Sequence, residues 1–383
     1  MTSLLLTLVT LMGACEVRSR LSPAPRVSAV KADVSGPAAG LEKLGEAPEA
    51  APKIKLQFAS ELRGWAASDK KIWLTEDGGR NWALVYSFPT PDGLPPHIPA
   101  SQLKDVARFY VEIRQLMFTD AASGFLLTSD GLYKTTDAGR SWLHVTTPLD
   151  APGGLLLGSA FLKGGEVGWV AGATYRPASQ DEILRTPNNM VSPDGKSILY
   201  RAIFQTRDGG ATWKEQRVES GPGRFSDIYI LDAEHGWALG DSDNYFWDSG
   251  SGRWKVSDSM SKCVGRRPRE DDEAAPASIF FIDPTTGWLS DTRNHLAKST
   301  DGGRNWCTLP DPAQEPVTAF YSELHFTDAA RGWALQEGGI LYKTTDGGVT
   351  WKKVSDLKFN DLYFLDGTHG WAIGAEGLFR ILS

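Results

Sequence analysis

The stretch TTDGGVTW at residues 344–351 decides the fold, because its pattern returns four more times: TEDGGRNW at 75–82, TTDAGRSW at 135–142, TRDGGATW at 206–213 and STDGGRNW at 299–306. A sixth stretch, WDSGSGRW at 247–254, keeps Asp248 and Trp254 but holds one extra residue between them. The chemistry of the pattern is that of a tight turn between strands. The Asp carboxylate accepts backbone N–H groups, the two glycines permit positive φ, and the Trp opens the next strand as a large packing anchor. A second series accompanies the first, a Gly-aromatic pair after an apolar run: Trp65, Phe125, Trp169, Trp237, Trp288, Trp333 and Trp371, each preceded by Gly. The aromatics are separated by 38 to 68 residues. That spacing is a unit of roughly 40 residues carrying insertions, the mark of β-propeller blades.

Residues 322–354 show the unit without insertions: ELHFTD, turn, GWALQ, turn, ILYKTT, the Asp turn, and TWKKV. These are four short alternating strands, so the fold class is all-β, a seven-bladed β-propeller of four-stranded antiparallel blades. The last unit ends at Ser383 after three strands. An open blade leaves an unpaired edge, so a segment around residues 38–53 is expected to supply the fourth strand.

The eight-residue pattern resembles the Asp-box, or bacterial neuraminidase repeat. The resemblance covers residues 53–383 and implies structural hairpins, with Asp77, Asp137, Asp208, Asp248, Asp301 and Asp346 as turn carboxylates instead of catalytic or metal-binding groups.

The rest of the chain organises itself around this domain. Residues 4–12 form an apolar run too short to span a bilayer but suited to an export signal. The run ends in LMGAC, which resembles a bacterial lipobox, so residues 1–15 read as a signal peptide and Cys15 as the lipidated residue. Residues 16–52 are rich in Pro, Ala, Ser and Glu and read as a tether whose end closes the last blade. Cys263 and Cys307 remain, an even pair in an oxidising compartment, where a disulfide between them depends on geometry. The expected location is the cell envelope, with membrane attachment through the lipid anchor alone.

The balance of 40 Lys and Arg against 47 Asp and Glu gives a net charge of -7, the wrong sign for tracking phosphates, so nucleic acid is excluded as a partner. The six His are scattered, no Cys or Cys/His cluster has metal spacing, and dinucleotide, P-loop and nucleophile-elbow motifs are absent; neither cofactor nor metal is expected. His235 and His369 each precede a Gly-Trp pair and read as turn residues.

Three long insertions, 89–105, 173–197 and 257–276, fall on loops that blade geometry places on one face, which is where binding is expected. The second contributes Tyr175, Arg176, Arg185 and Asn188, and the third Arg266 and Arg267 within a run of mixed charge. Counting back a fixed distance from each Gly-aromatic pair aligns Lys55, Gln115, Ser159, Asp227, Ser278, Glu323 and Asp361 in a column at the channel mouth. Three acids there, Asp227, Glu323 and Asp361, could hold a cation or a basic group.

Asp-boxes, the repeated F-x-D-x-x-x-G-W-A signature and an export signal together resemble the photosystem II stability/assembly factor-like branch of Asp-box propellers. That resemblance implies a non-catalytic, monomeric scaffold binding an envelope or membrane protein, through protein–protein interaction or as an assembly or stability factor. The alternative is a glycan-binding or glycoside-hydrolysing propeller similar to the sialidases. The Arg-Ile-Pro motif of that family is missing, and neither Tyr175 nor Tyr229 has a partner that sequence can name as a nucleophile pair.

Overall fold

A Gly-Trp pair followed by small or aliphatic residues has no polar face, and the structure shows why. The computed structural model describes residues 40–49, 51, 53–68, 70–88, 111–219, 221–241, 243–257, 275–309 and 320–382, all within one unit that spans Pro37–Ser383. The expected signal peptide with Cys15, most of the expected tether, all of the first insertion, most of the third, and Cys263, Arg266 and Arg267 lie outside these residues. Segments such as Gly64–Ser68, Gly124–Thr128, Gly332–Gln336 and Gly370–Gly374 are buried along their whole length, because each is covered on both faces by neighbouring sheets.

Among the described residues the strands form six sheets, antiparallel but for one short strand of the fourth. The first runs Ile54–Phe58, Gly64–Ser68, Lys71–Thr75, Ala83–Ser87, from inner to outer strand. The second is Ile113–Phe118, Gly124–Thr128, Leu132–Thr135, Leu143–Val145, and the third Gly154–Phe161, Gly168–Pro177, Ser197–Thr206, Lys214–Glu215. The fourth, Phe225–Ile230, Gly236–Gly240, Asn244–Asp248, Arg253–Val256, carries Arg217–Val218 as a parallel outermost strand. The fifth is Pro276–Phe281, Gly287–Asp291, Leu296–Ser299, Cys307–Thr308.

The sixth sheet has seven strands, and one of them, Lys352–Phe364, serves twice. Its first part pairs with Ile340–Thr344 as the outer strand of one unit, and its second part pairs with Gly370–Gly374 as the inner strand of the next. That last unit continues through Gly377–Ile381 and ends on Leu41–Gly45, which pairs antiparallel with it from Leu41↔Ile381 to Gly45↔Leu378. The amino-terminal strand thus covers the edge that the carboxy-terminal strand would otherwise expose. Successive units touch in sequence order, and Ile54–Phe58 lies against Lys352–Phe364, so the row of sheets closes on itself. The all-β propeller expected from the repeats is the fold observed.

The Gly of each Gly-aromatic pair has a specific cause. The last residue of the inner strand lies flat over it: a Cβ at Gly64 would stand 2.5 Å from the ring of Phe58, and one at Gly370 2.3 Å from that of Phe364. In five of the seven units the aromatic that follows stacks on the corresponding Phe of the next unit, Trp371 on Phe58 at 4.1 Å among them. Trp65 on Phe118, Phe125 on Phe161, Trp237 on Phe281 and Trp288 on Phe326 all have centroids 3.5–3.6 Å apart with planes within 7°. The core is therefore a series of clusters between sheets instead of one central mass.

In the Asp-box of residues 344–351 the Thr344 hydroxyl donates to Asp346 Oδ1 at 2.8 Å and accepts from the N–H of Gly348 at 3.0 Å. Asp346 Oδ1 accepts the N–H of Thr350 at 2.9 Å, and Oδ2 accepts the Thr350 hydroxyl. The same bonds recur at Asp77, Asp137, Asp208 and Asp301. Donors from the turn hold these carboxyls below the ordinary range, Asp208 at about 2. Their lone pairs are spent inside the hairpin. In the irregular sixth turn, Asp248 instead takes the Ser251 hydroxyl and Lys255 Nζ.

Candidate functional site

Two arrangements of side chains stand out, one at the hub and one at the rim. At the hub, the column of inner-strand residues joins one unit to the next by hydrogen bonds from side chain to backbone. Asp361 Oδ2 accepts the N–H of Leu56 at 2.8 Å, and Ser278 Oγ accepts that of Leu324 at 3.2 Å. Glu323 accepts the N–H of Leu362 in the same way. Lys55 Nζ lies 2.7 Å from Asp361 Oδ1, so this contact between the first and last units is also an ion pair. Between the first and second units, where a Lys cannot accept, Gln57 takes over: its amide nitrogen donates to Phe118 O at 2.9 Å and its oxygen accepts the N–H of Phe118.

The column is offset in the third sheet, which corrects the alignment at Ser159. The turn between Phe161 and Gly168 is one residue longer than its counterparts, such as that between Phe58 and Gly64. Gly158 therefore holds the column position, and Ser159 takes the place of Leu56 and Leu324, donating its N–H to Gln115 Oε1 at 3.1 Å. Gly158 has no side chain to offer the fourth unit, and none would fit, since a Cβ would lie 2.9 Å from Asp227 Cα. Gln115 reaches past it to donate to Asp227 Oδ1 at 2.9 Å, and Asp227 accepts its own neighbour's N–H, that of Ile228, at 2.8 Å.

The three acids thus do converge on the hub with Lys55, but as ties between units. Among the described residues there is no group of three His, Cys, Asp or Glu side chains arranged to hold a metal. Burial sets their electrostatics. Desolvation pushes Asp227 up to about 6. Glu323 rises to about 8 through desolvation and the charge of Asp361. Asp361 is raised by burial against the opposing pull of Lys55 and the Leu56 N–H, while Lys55 is raised chiefly by Asp361. Both partners shift upward because the burial cost outweighs the attraction at the carboxyl alone.

These shifts fix a pH dependence. Between the ordinary carboxylate value of 4.5 and about 8, folded Glu323 keeps a proton that the unfolded chain has released, so stability falls as pH rises through that window. Glu323→Gln is expected to match the wild type near pH 5 and to exceed it in melting temperature at pH 9. A melting temperature at pH 9 at or below that of the wild type would contradict this assignment.

At the rim, between the third and fourth sheets, a groove of about 420 Å³ is lined by Arg176, Arg201, Arg217 and Arg253 together with Tyr200 and Glu215. Arg201 is its fixed element. It is 7% exposed, donates from Nη1 to Pro222 O at 2.8 Å, and lies 5.5 Å over the ring of Tyr245. Gly223 makes room for it, since a Cβ there would fall 2.4 Å from Arg201 Cζ. Arg176 pairs with Glu215 and sits over Tyr200, whereas Arg217 projects into solvent. Arg201 and Arg253 each hold a buried Nε with no hydrogen-bond partner among the described residues.

Of the insertion residues read from sequence, Arg176 belongs to this groove. Tyr175 packs over Gly153, while Arg185, at the end of the helix Gln180–Arg185, and Asn188 are exposed outside it. Arg201, Arg217 and Arg253 escaped the sequence reading, as they stand on three separate segments of ordinary strand. Tyr229 donates its hydroxyl to Phe281 O at 3.0 Å and is held at about 12 by burial, a structural tie. His235 and His369 sit in turns against Asp232 and Asp366. Cys307 is disulfide-bonded, and its partner lies outside the described residues.

Fold, hairpins and hub together define the class: this is an Asp-box β-propeller. Within that class part of the chain is similar to the YCF48 propellers. Residues 269–360 match the family described as Photosynthesis system II assembly factor YCF48. A solved structure of YCF48 bound to D1 peptide aligns with a TM-score of 0.59 at 18% identity, covering 90% of this chain and 97% of that one. YCF48 from Cyanidioschyzon merolae aligns at 0.58 and 16%, covering 90% and 98%. The fold is shared more widely: the GH74 xyloglucanase from Xanthomonas campestris aligns at 0.56 and 13% over 84% of this chain and 50% of its own. No curated protein matches the chain by sequence.

Proposed function

We propose that this chain is a non-catalytic, monomeric scaffold of the cell envelope, anchored through Cys15, that docks a segment of another protein at the rim between the third and fourth sheets. The arginine groove carries the reading. Four guanidinium groups, one of them fixed and desolvated, are balanced in the lining by Glu215 and Glu219, and one pairs with Glu215 already. Such forks take carboxylates in two-point contacts, so the segment they suit is acidic or ends in a carboxylate. Two observations support protein as the ligand class: the family match is to an assembly factor, and a structural relative is solved with a bound peptide.

The test is a displayed library of random 12-residue peptides panned on the purified domain, then repeated with Arg176→Ala/Arg217→Ala, both exposed and so compatible with folding. Acidic peptides are expected to enrich and to lose at least tenfold in affinity against the double variant. An equal yield from both proteins would remove the groove from the reading. The anchor has its own test. Cys15→Ser is expected to move the chain from the membrane fraction to the soluble fraction of the host, and unchanged fractionation would discard the lipid anchor.

A further inference from the structure

One contact between units lacks the aromatic pair found at the others, and it lies beside the arginine groove. Where other inner strands end in Phe, at Phe58, Phe118, Phe161, Phe281, Phe326 and Phe364, the fourth ends in Ile230. Trp169 of the third unit therefore has no ring to stack on. Like Trp333 and Trp371, it also lacks the indole hydrogen bond made in three other units. Trp65, Trp237 and Trp288 donate Nε1 to carbonyls of the next unit's Asp-box turn, Ala138, Gly302 and Gly347, at 2.8–3.0 Å. The next turn after Trp169 is the irregular WDSGSGRW, and among the described residues the indole of Trp169 makes no hydrogen bond.

Beside Trp169 lies a cavity of about 120 Å³ walled by Trp169, Ile230, Trp247 and Trp254, with a polar mouth formed by Gln205, Arg207, Gln216, Asp232, Glu234 and His235. The Nε1 of Trp254 is buried without a partner in the same wall, and Trp254 is 1% exposed. For scale, an apolar cavity of about 150 Å³ holds a benzene molecule. Gln216 lines both this cavity and the arginine groove, and Arg253 and Trp254, one in each, are consecutive residues.

We infer that this cavity receives an aromatic side chain of the docked protein segment, supplying from outside the ring that Phe supplies at other contacts. The inference rests on the docking role proposed above and names its partner more closely: an extended segment with an aromatic residue within about four positions of its carboxylates, since each extended residue advances about 3.4 Å. A buried aromatic anchor beside a charged contact is how interfaces concentrate affinity and set register.

Ile230→Phe tests this, because it restores the residue found at the other contacts and fills the space. The variant is expected to fold with a melting temperature equal to or above that of the wild type; Trp247→Leu, at the half-buried edge, serves as a second variant should it not. In the same peptide panning, wild type is expected to enrich Phe, Tyr or Trp near Asp or Glu. An enriched peptide should bind at least tenfold more weakly after its aromatic is changed to Ala, and Ile230→Phe should abolish that preference while still binding acidic peptides. Acidic peptides without aromatic enrichment, or a preference that survives in both variants, would overturn the anchor and leave the groove standing. Quenching of tryptophan fluorescence by xyloglucan oligosaccharides, lost in Ile230→Phe, would reassign the cavity to a sugar and overturn it as well. If wild type enriches no acidic peptide at all, the docking role fails and this inference with it.

Discussion

A chain beginning at residue 51 instead of residue 37 is expected to melt about 10 °C lower and to aggregate on heating. The difference is the strand Leu41–Gly45, which pairs with Gly377–Ile381 along its length and places Leu41, 3% exposed, among Trp333, Leu335, Phe359 and Ile381. Burying a Leu side chain contributes about 1.5–3 kcal/mol. The lost ladder bonds add roughly 1 kcal/mol each. Near the melting point of a domain this large, 1 kcal/mol moves the midpoint by about 2–4 °C. The exposed edge then offers unpaired N–H and C=O groups to other chains. Circular dichroism melts of the two chains check this, and adding a synthetic peptide of residues 38–50 should restore part of the loss. A truncated chain that melts with the longer one would mean the closing strand carries no stability.

Asp361→Ala should be the most damaging single substitution at the hub, costing about 3–5 kcal/mol, the range for removing one partner of a buried ion pair. The residue is 5% exposed, and its side chain satisfies both Lys55 and the backbone N–H of Leu56. Without it the N–H is left buried and unpaired, and Lys55 keeps only the more distant acids. Asp361→Asn should cost roughly half as much, because the amide oxygen can still accept from Leu56 while the charge is lost. Adding Lys55→Met to Asp361→Ala should recover part of the loss, since the stranded ammonium is then gone. Urea denaturation of the wild type and the three variants gives these values. A cost below about 1 kcal/mol for Asp361→Ala would mean that water, not Asp361, satisfies Lys55.

The architecture was legible because it repeats. The turn chemistry of TTDGGVTW and the aromatic after each Gly are local signals, written again and again, and they yield sheets, hairpins and channel lining from sequence alone. The hub was legible only in part. Counting a fixed distance from Trp169 placed Ser159 in the column because the extra residue between Phe161 and Gly168 is silent in composition; the backbone bond from Ser159 to Gln115 reveals the slip. That Asp227, Glu323 and Asp361 tie units together could not be read, since their partners come from other units. The arginine groove gathers Arg201, Arg217 and Arg253 from three segments that share no local pattern. The aromatic cavity did leave a trace: Ile230 stands where the other inner strands carry Phe, and a comparison of strand ends alone would have found it.

The pairing of Leu41–Gly45 with Gly377–Ile381 also fixes an order of events during synthesis. Among the described strands, the first to leave the ribosome is the partner of the last. At about 5–20 residues per second, the roughly 340 residues that separate them take on the order of a minute or less to make. For that interval each completed sheet can form by itself, yet the amino-terminal strand has nothing to pair with and the circle stays open. Closure is thus a late, long-range step whose rate depends on two chain ends meeting. Anything that holds the amino terminus elsewhere during that interval acts directly on the yield of folded protein.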